Sequence, residues 1–135
     1  MSLDNVLDVT ASAMTANRFW LERISNNMAN ANSTHSVTGG PYQREVPVFA
    51  EILAQQNGLG GGVEATGVVK DTTPFPMVYN PGHPDADKTG FVRMPNVNII
   101  NEMVDMIAAS RTYEANITVS SAAKNMMNKA MDIAK

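Results

Sequence analysis

The first residues to test for chemistry are two histidines and the acids near them. His83 precedes Asp85 and Asp87 in a spacing that weakly resembles a metal-binding fragment, and His35 lies 48 residues upstream. A zinc site needs three or four ligands, usually clustered in a motif. No such motif is present, so His83, Asp85 and Asp87 read as a solvated, proline-rich turn. A serine nucleophile would be expected on a Gly-x-Ser-x-Gly elbow, and none occurs. Gly58 to Gly62 lacks the Lys-Ser/Thr that completes a phosphate loop. Glu102 and Asp105 could be a carboxylate pair. They open a long helical pattern, where free N–H groups and the dipole favour acids. Lys124, Lys129 and Lys135 sit toward its other end, also in the favoured sense. Neither an enzyme nor a cofactor or metal site is expected.

Two polar clusters remain. Asn26, Asn27, Asn30 and Asn32 follow a good helical pattern. They either fray the helix or hold its end against a neighbour. Asn30 or Asn32 is a candidate cap, and Asn27, one heptad beyond Trp20, belongs on the packed side. Its amide could pair with the polar layer of another helix. The second cluster is Arg111-Thr112-Tyr113-Glu114-Ala115-Asn116, within a methionine-rich stripe. Arg111 offers a rigid donor fork and Tyr113 an apolar body with a hydroxyl tip. A polar layer in a helix–helix contact must find partners, which fixes register.

The elements that position these clusters are a helix, an irregular middle and a helix. Leu7, Met14, Leu21 and Met28 recur every seven residues, with Leu3, Thr10, Asn17, Ile24 and Ala31 as companions. This 4-3 spacing predicts an amphipathic helix over residues 3 to about 30. From residue 31 to about 95 glycine and proline are frequent, with short β-like pieces at 46–49, 62–69 and 90–94. Gly60-Gly61-Gly62 reads as a joint and Asn80-Pro81-Gly82 as a turn. A second helix is expected from 97 to about 134, capped by Asn96 or Asn98. Its stripe runs Ile100, Met103, Ile107, Ser110, Glu114 and Ile117, then shifts register.

The predicted fold is mainly α. Long N- and C-terminal helices pack as an antiparallel coiled-coil-like pair, joined by a short irregular β-containing segment. The expected division is 1–32, 33–95 and 96–135.

Composition narrows the function. The 135 residues carry 10 basic and 13 acidic side chains, with no basic cluster, so nucleic acid is not an expected partner. Cysteine is absent, which excludes disulfides and thiolate chemistry. No run approaches 18 apolar residues, so a membrane-embedded protein is not expected. The first twenty residues contain Asp4, Asp8 and Arg18, unlike a cleavable signal peptide, which taken alone predicts a cytoplasmic protein. Methionine is frequent, at 10 residues, and suits imperfect or adaptable surfaces. Two facing stripes still leave Val6, Trp20, Ile99, Val104, Met106 and Met127 partly uncovered. Exposing apolar bands along two helices is costly unless another chain covers them. An oligomer is therefore expected.

Three stretches carry a family resemblance. Ile24-Ser25-Asn26-Asn27-Met28-Ala29-Asn30-Ala31-Asn32-Ser33 resembles the N-terminal signature of the bacterial flagellar axial family of rod and hook proteins. Asn101 to Asn116 resembles its C-terminal helix. Val78 to Asp87, continuing through Gly90 to Val97, looks like the family's short-chain rod subtype. The loop from Ser33 to Tyr42 is variable-looking and departs most.

The resemblance implies a structural subunit of the proximal rod, assembling helically with itself and with other proximal and distal rod subunits. It implies export by the flagellar type III apparatus without a cleaved signal peptide, which removes the cytoplasmic inference. Assembly contacts are expected at Leu7, Met14, Trp20, Leu21, Ile24 and Met28, with Asn26, Asn27 and Asn30 at the helix end. On the second helix they are expected at Met103, Ile107, Met126 and Met127, with Arg111, Tyr113, Glu114 and Asn116 as the polar layer. A different class of function, a helical binding or chaperone-like module gripping clients through a methionine-rich face, shares the same pattern.

Overall fold

The computed structural model describes residues 3–36, 39–52 and 61–133. Gly60 and Lys135, named above for the joint and the helix end, lie outside the described residues. The order is α1 (Leu3–Ala29), β1 (Glu45–Glu51), β2 (Val63–Lys70), β3 (Met77–Tyr79), β4 (Phe91–Arg93) and α2 (Ile99–Ile133). The protein is thus mainly helical, with two long terminal helices packed together and a short β-containing middle. The strands form two separate two-stranded sheets, β1 with β2 and β3 with β4. The chain divides into two compact units, one of Met1–Leu21, Pro47–Gly67 and Ile107–Lys135, the other of Glu22–Val46 and Val68–Met106.

In the first unit, Thr10, Ala16 and Asn17 of α1 and Ala109 and Ala123 of α2 are buried. Small side chains let helix backbones approach closely, which long apolar ones would prevent. The two polar members are satisfied locally. Thr10 Oγ1 donates to Leu7 O and Asn17 Nδ2 donates to Ala13 O. The expected companion row of α1 is therefore an inward row, since Thr10, Asn17, Ile24 and Ala31 are all buried.

The expected stripe of α2 is corrected. Ile100 is 72% exposed, Met103 50% and Ile107 55%, with Ile117 at 43%. The inward residues are instead Glu102, Ala109 and Ala123, also on a seven-residue repeat. Apolar periodicity marks a greasy face but not which neighbour covers it. Here the chain's own packing takes the small-residue face and leaves the greasy one outward.

The hairpin joining β1 and β2 closes in the first unit, where Ile52 N donates to Gly62 O and Gly61 N donates to Ile52 O. Gly62 has φ +121° and lies against α1. A Cβ there would fall 2.2 Å from Ser12 Oγ. That hydroxyl accepts from Val63 N and donates to Val9 O. Replacement of Gly62 by alanine is expected to lower unfolding stability by about 1–3 kcal/mol, from backbone strain plus displacement of Ser12. Gly67→Ala, where a Cβ meets nothing within 4 Å, is the control and should be nearly neutral in urea unfolding.

In the second unit β3 and β4 pair antiparallel, with Val78 opposite Val92 and Tyr79 opposite Phe91. The Tyr79 and Phe91 rings meet edge to face at 5.3 Å. Val92, 1% exposed, is the strand residue that enters the core. Asn98 caps α2, accepting from Ile100 N at 3.0 Å and Asn101 N at 3.3 Å. We expect Asn98→Ala to cost about 1 kcal/mol, read as a lower urea midpoint with unchanged helix content.

Candidate functional site

The densest polar cluster outside water lies in the second unit, where α1 ends and α2 begins. Asn27 is 1% exposed and Glu102 is 0% exposed. Asn27 has four partners. Its Nδ2 donates to Glu45 O at 2.9 Å and to Glu102 Oε2 at 3.1 Å. Its Oδ1 accepts from Glu45 N at 2.9 Å and from Tyr42 Oη at 2.9 Å. One amide thus ties α1 to both backbone groups at the start of β1 and to the first turn of α2.

Arg44 completes the joint. Its Nε donates to Glu102 Oε1 at 2.6 Å, and its terminal nitrogens lie 3.4 Å from Asp105 Oδ2 and 3.6 Å from Asp71 Oδ2. Asn96 receives the Arg44 backbone N–H and donates to Asp71 O and Thr73 O. The loop before β1, the strand exit after β2 and the approach to α2 are therefore stitched through side-chain amides. Asn96 is the bracket of this loop, and Asn98 is the cap.

The electrostatics follow from the same contacts. Burial works against the charge of Arg44, but its hydrogen bond to Glu102 and the charges of Glu102, Asp105 and Asp71 outweigh it and raise its pKa. Burial pushes the Tyr42 phenol above its ordinary value, and the Glu45 charge adds to that. The Thr73 hydroxyl and amide hold Asp71 below the usual carboxylate range, with Arg44 assisting. Thr89 does the same for Asp87 in the turn before β4. A fully buried carboxylate held by a guanidinium and an amide is a structural lock.

His35 and His83 do converge on one acid, with Nδ1 atoms 3.9 and 4.0 Å from Asp85. His83 Nδ1 accepts from Asp85 N, and Thr34 Oγ1 donates to Asp85 Oδ2. Among the described residues no group of three or more His, Cys, Asp or Glu has the geometry to hold a metal.

The residues expected at assembly contacts separate into three sets. Ile24, 2% exposed, and Asn27, 1% exposed, are enclosed by this chain's own packing. Leu7, Met14, Trp20, Leu21, Asn26, Met28, Asn30, Tyr113, Asn116 and Met127 are half-buried. Met103, Ile107, Arg111, Glu114 and Met126 are exposed. Asn30 closes α1, its Nδ2 donating to Asn26 O and its Oδ1 accepting from Ser33 Oγ. Asn116 bonds back to Thr112 O on its own helix.

Sequence reading missed Tyr42 and Arg44, which fall in or beside a stretch that looks like variable loop. It took Glu102 for a dipole-favoured surface acid. The available signal was a tyrosine and an arginine immediately before a strand, too common to single out.

A family model described as flagellar basal body rod FlgEFG protein C-terminal matches residues 88–133, which include β4 and α2. A flagellar basal-body rod protein FlgC of Borreliella burgdorferi is 40% identical, with 98% of each chain covered. FlgC of Yersinia enterocolitica is 41% identical over 98% of each chain, and FlgC of Bacillus subtilis 37% over 100% of each. With such identity over nearly the whole length of each chain, the chain belongs to the FlgC family of flagellar basal-body rod proteins.

Proposed function

We propose that this chain is a subunit of the proximal rod, packed helically with copies of itself and with other proximal and distal rod subunits into a hollow shaft that transmits torque. Family membership makes the role structural and non-catalytic. No helix among the described residues is long and apolar enough to cross a membrane. The subunit reaches the rod across the periplasm through the flagellar type III export apparatus. Segments 1–32 and 96–135 form the rod core, and 33–95 braces them.

The observation that carries this reading is the outward face of α2, where Ile100, Met103, Val104 and Ile107 are each at least half exposed. A lone molecule gains nothing from such a face, whereas neighbouring subunits remove it from water. Exposed Arg111 and Glu114, with half-buried Tyr113, follow on the same helix and set register against a neighbour. A deletion strain carrying the gene on a plasmid tests the proposal. Purified basal bodies should contain the chain in fixed stoichiometry and motility should return. A chain that stays outside the basal body and exchanges among clients is instead a chaperone-like module.

A further inference from the structure

Each unit exposes a patch on its own part of α2, and the two complement each other in both grease and charge. Near the start, Ile100 and Val104 are 72% and 61% exposed, one turn apart. Beside them opens a recess of about 460 Å³, lined by Asp71, Asp105, Asn98, Asn101 and Val104 among others. Arg44 at its wall is one cation among three carboxylates. Its closest contact is with Glu102 at 2.6 Å, while Asp105 and Asp71 are more distant at 3.4 and 3.6 Å. The two acids facing the recess are therefore only partly neutralised. The Thr73 bonds that hold Asp71 ionised reinforce this.

Near the other end of α2, Met126 and Ile133 are 53% and 86% exposed. Lys129 stands between them on the same helical face, in the 3-4 spacing that lines up side chains. Among the described residues no carboxylate lies within ion-pair distance of Lys129, although Asp132 follows one turn later. A cation centred in an exposed apolar stripe calls for an acid on whatever surface covers the stripe.

The two patches are different surfaces of the chain, the recess in the second unit and the Lys129 face in the first. A contact between different patches of identical molecules is heterologous, and it propagates instead of closing on itself. We infer that the Ile100–Val104 recess of one copy receives the Met126–Lys129–Ile133 face of a second copy, head to tail, with the Lys129 ammonium between Asp71 and Asp105. This deepens the rod reading and rests on it.

The absence of cysteine from the chain gives a clean test. Full-length Asn101→Cys and Ala130→Cys proteins are mixed and mildly oxidised. The mixture is expected to form heterodimers at least tenfold faster than either variant forms homodimers. The doubly substituted chain should form ladders. Lys129→Glu in the Ala130→Cys background should cut the yield at least tenfold, and Asn101→Lys should restore self-association to Lys129→Glu in sedimentation. Homodimers alone, capture only of a different rod subunit, or a yield indifferent to Lys129→Glu overturns the contact. Motility of cells carrying the unsubstituted gene separates the two ideas. Restored swimming without the cross-link removes this contact and leaves the rod reading standing, whereas failure to restore rods removes the reading itself.

Discussion

Arg44→Met is expected to lower the stability of the purified chain by about 3–5 kcal/mol, because it strands a buried carboxylate. Glu102 is 0% exposed and its Oε1 is held by Arg44 Nε at 2.6 Å. Removing the guanidinium leaves the carboxylate to the Asn27 amide, and removes the cation facing Asp71 and Asp105. Methionine keeps the aliphatic stem, so the loss reports charge and hydrogen bonds more than packing. A double variant, Arg44→Met with Glu102→Leu, should recover much of the deficit, since a buried ion pair replaced on both sides by apolar groups is often tolerated. Urea unfolding checks this. A midpoint for Arg44→Met within about 1 kcal/mol of the unsubstituted chain would mean that water reaches the carboxylate and that the lock is not closed in solution.

How much of this was legible beforehand differs element by element. The extent of α1 follows from its 4-3 apolar spacing, and its companion row marks the inward side. The α2 boundary follows from two short polar residues ahead of a periodic run, Asn96 and Asn98, and the structure gives the cap to Asn98. The orientation of α2 was not legible. Ile100, Met103 and Ile107 announce a stripe, while Ala109 and Ala123 are quiet because small residues recur all along the helix. Only the fold shows that the alanines are buried and the bulky row is left outward. The joint was least legible, because its bonds join residues far apart in sequence. Asn27 reaches Glu102 across 75 positions, and Arg44 reaches Glu102 across 58. No periodicity encodes such pairs, and each residue alone has an ordinary explanation at a helix end or strand start.

The same comparison assigns different work to the asparagines that cluster after α1. Asn30 stops the helix by bonding within its own turn. Asn27 reaches across to a strand and a second helix, using donor and acceptor together. A serine is too short to span that distance, and an aspartate has no donor to give. An assembly subunit benefits from such a joint because, within the second unit, the end of α1 and the start of α2 are then held in one setting. Less ordering then remains to be done when a neighbour arrives.

Asn27→Leu accordingly should damage folding of the isolated chain before any effect on assembly is felt. Seen only as a heptad position, Asn27 belongs to a contact with another subunit, and its loss would spare the monomer. The structure spends all of its hydrogen bonds inside the chain. Leucine has nearly the same size but leaves Glu45 N, Glu45 O, Tyr42 Oη and one Glu102 oxygen short of a partner. Each stranded buried group costs about 1–3 kcal/mol, less than additively, so a total of about 3–5 kcal/mol is expected. Asn27→Asp gives a second reading with a definite sign. It keeps both acceptor bonds, loses both donor bonds and sets a carboxylate against Glu102. The like charge raises the pKa of the introduced acid in the folded state above its unfolded value. The stability it retains is therefore present below the ordinary aspartate pKa and is lost as pH rises through the raised one, so its deficit should grow from pH 4 to pH 7. Urea unfolding of both variants at those two pH values measures this directly. Normal unfolding of Asn27→Leu together with failed rod completion would move the residue from the intrachain joint to a contact between subunits.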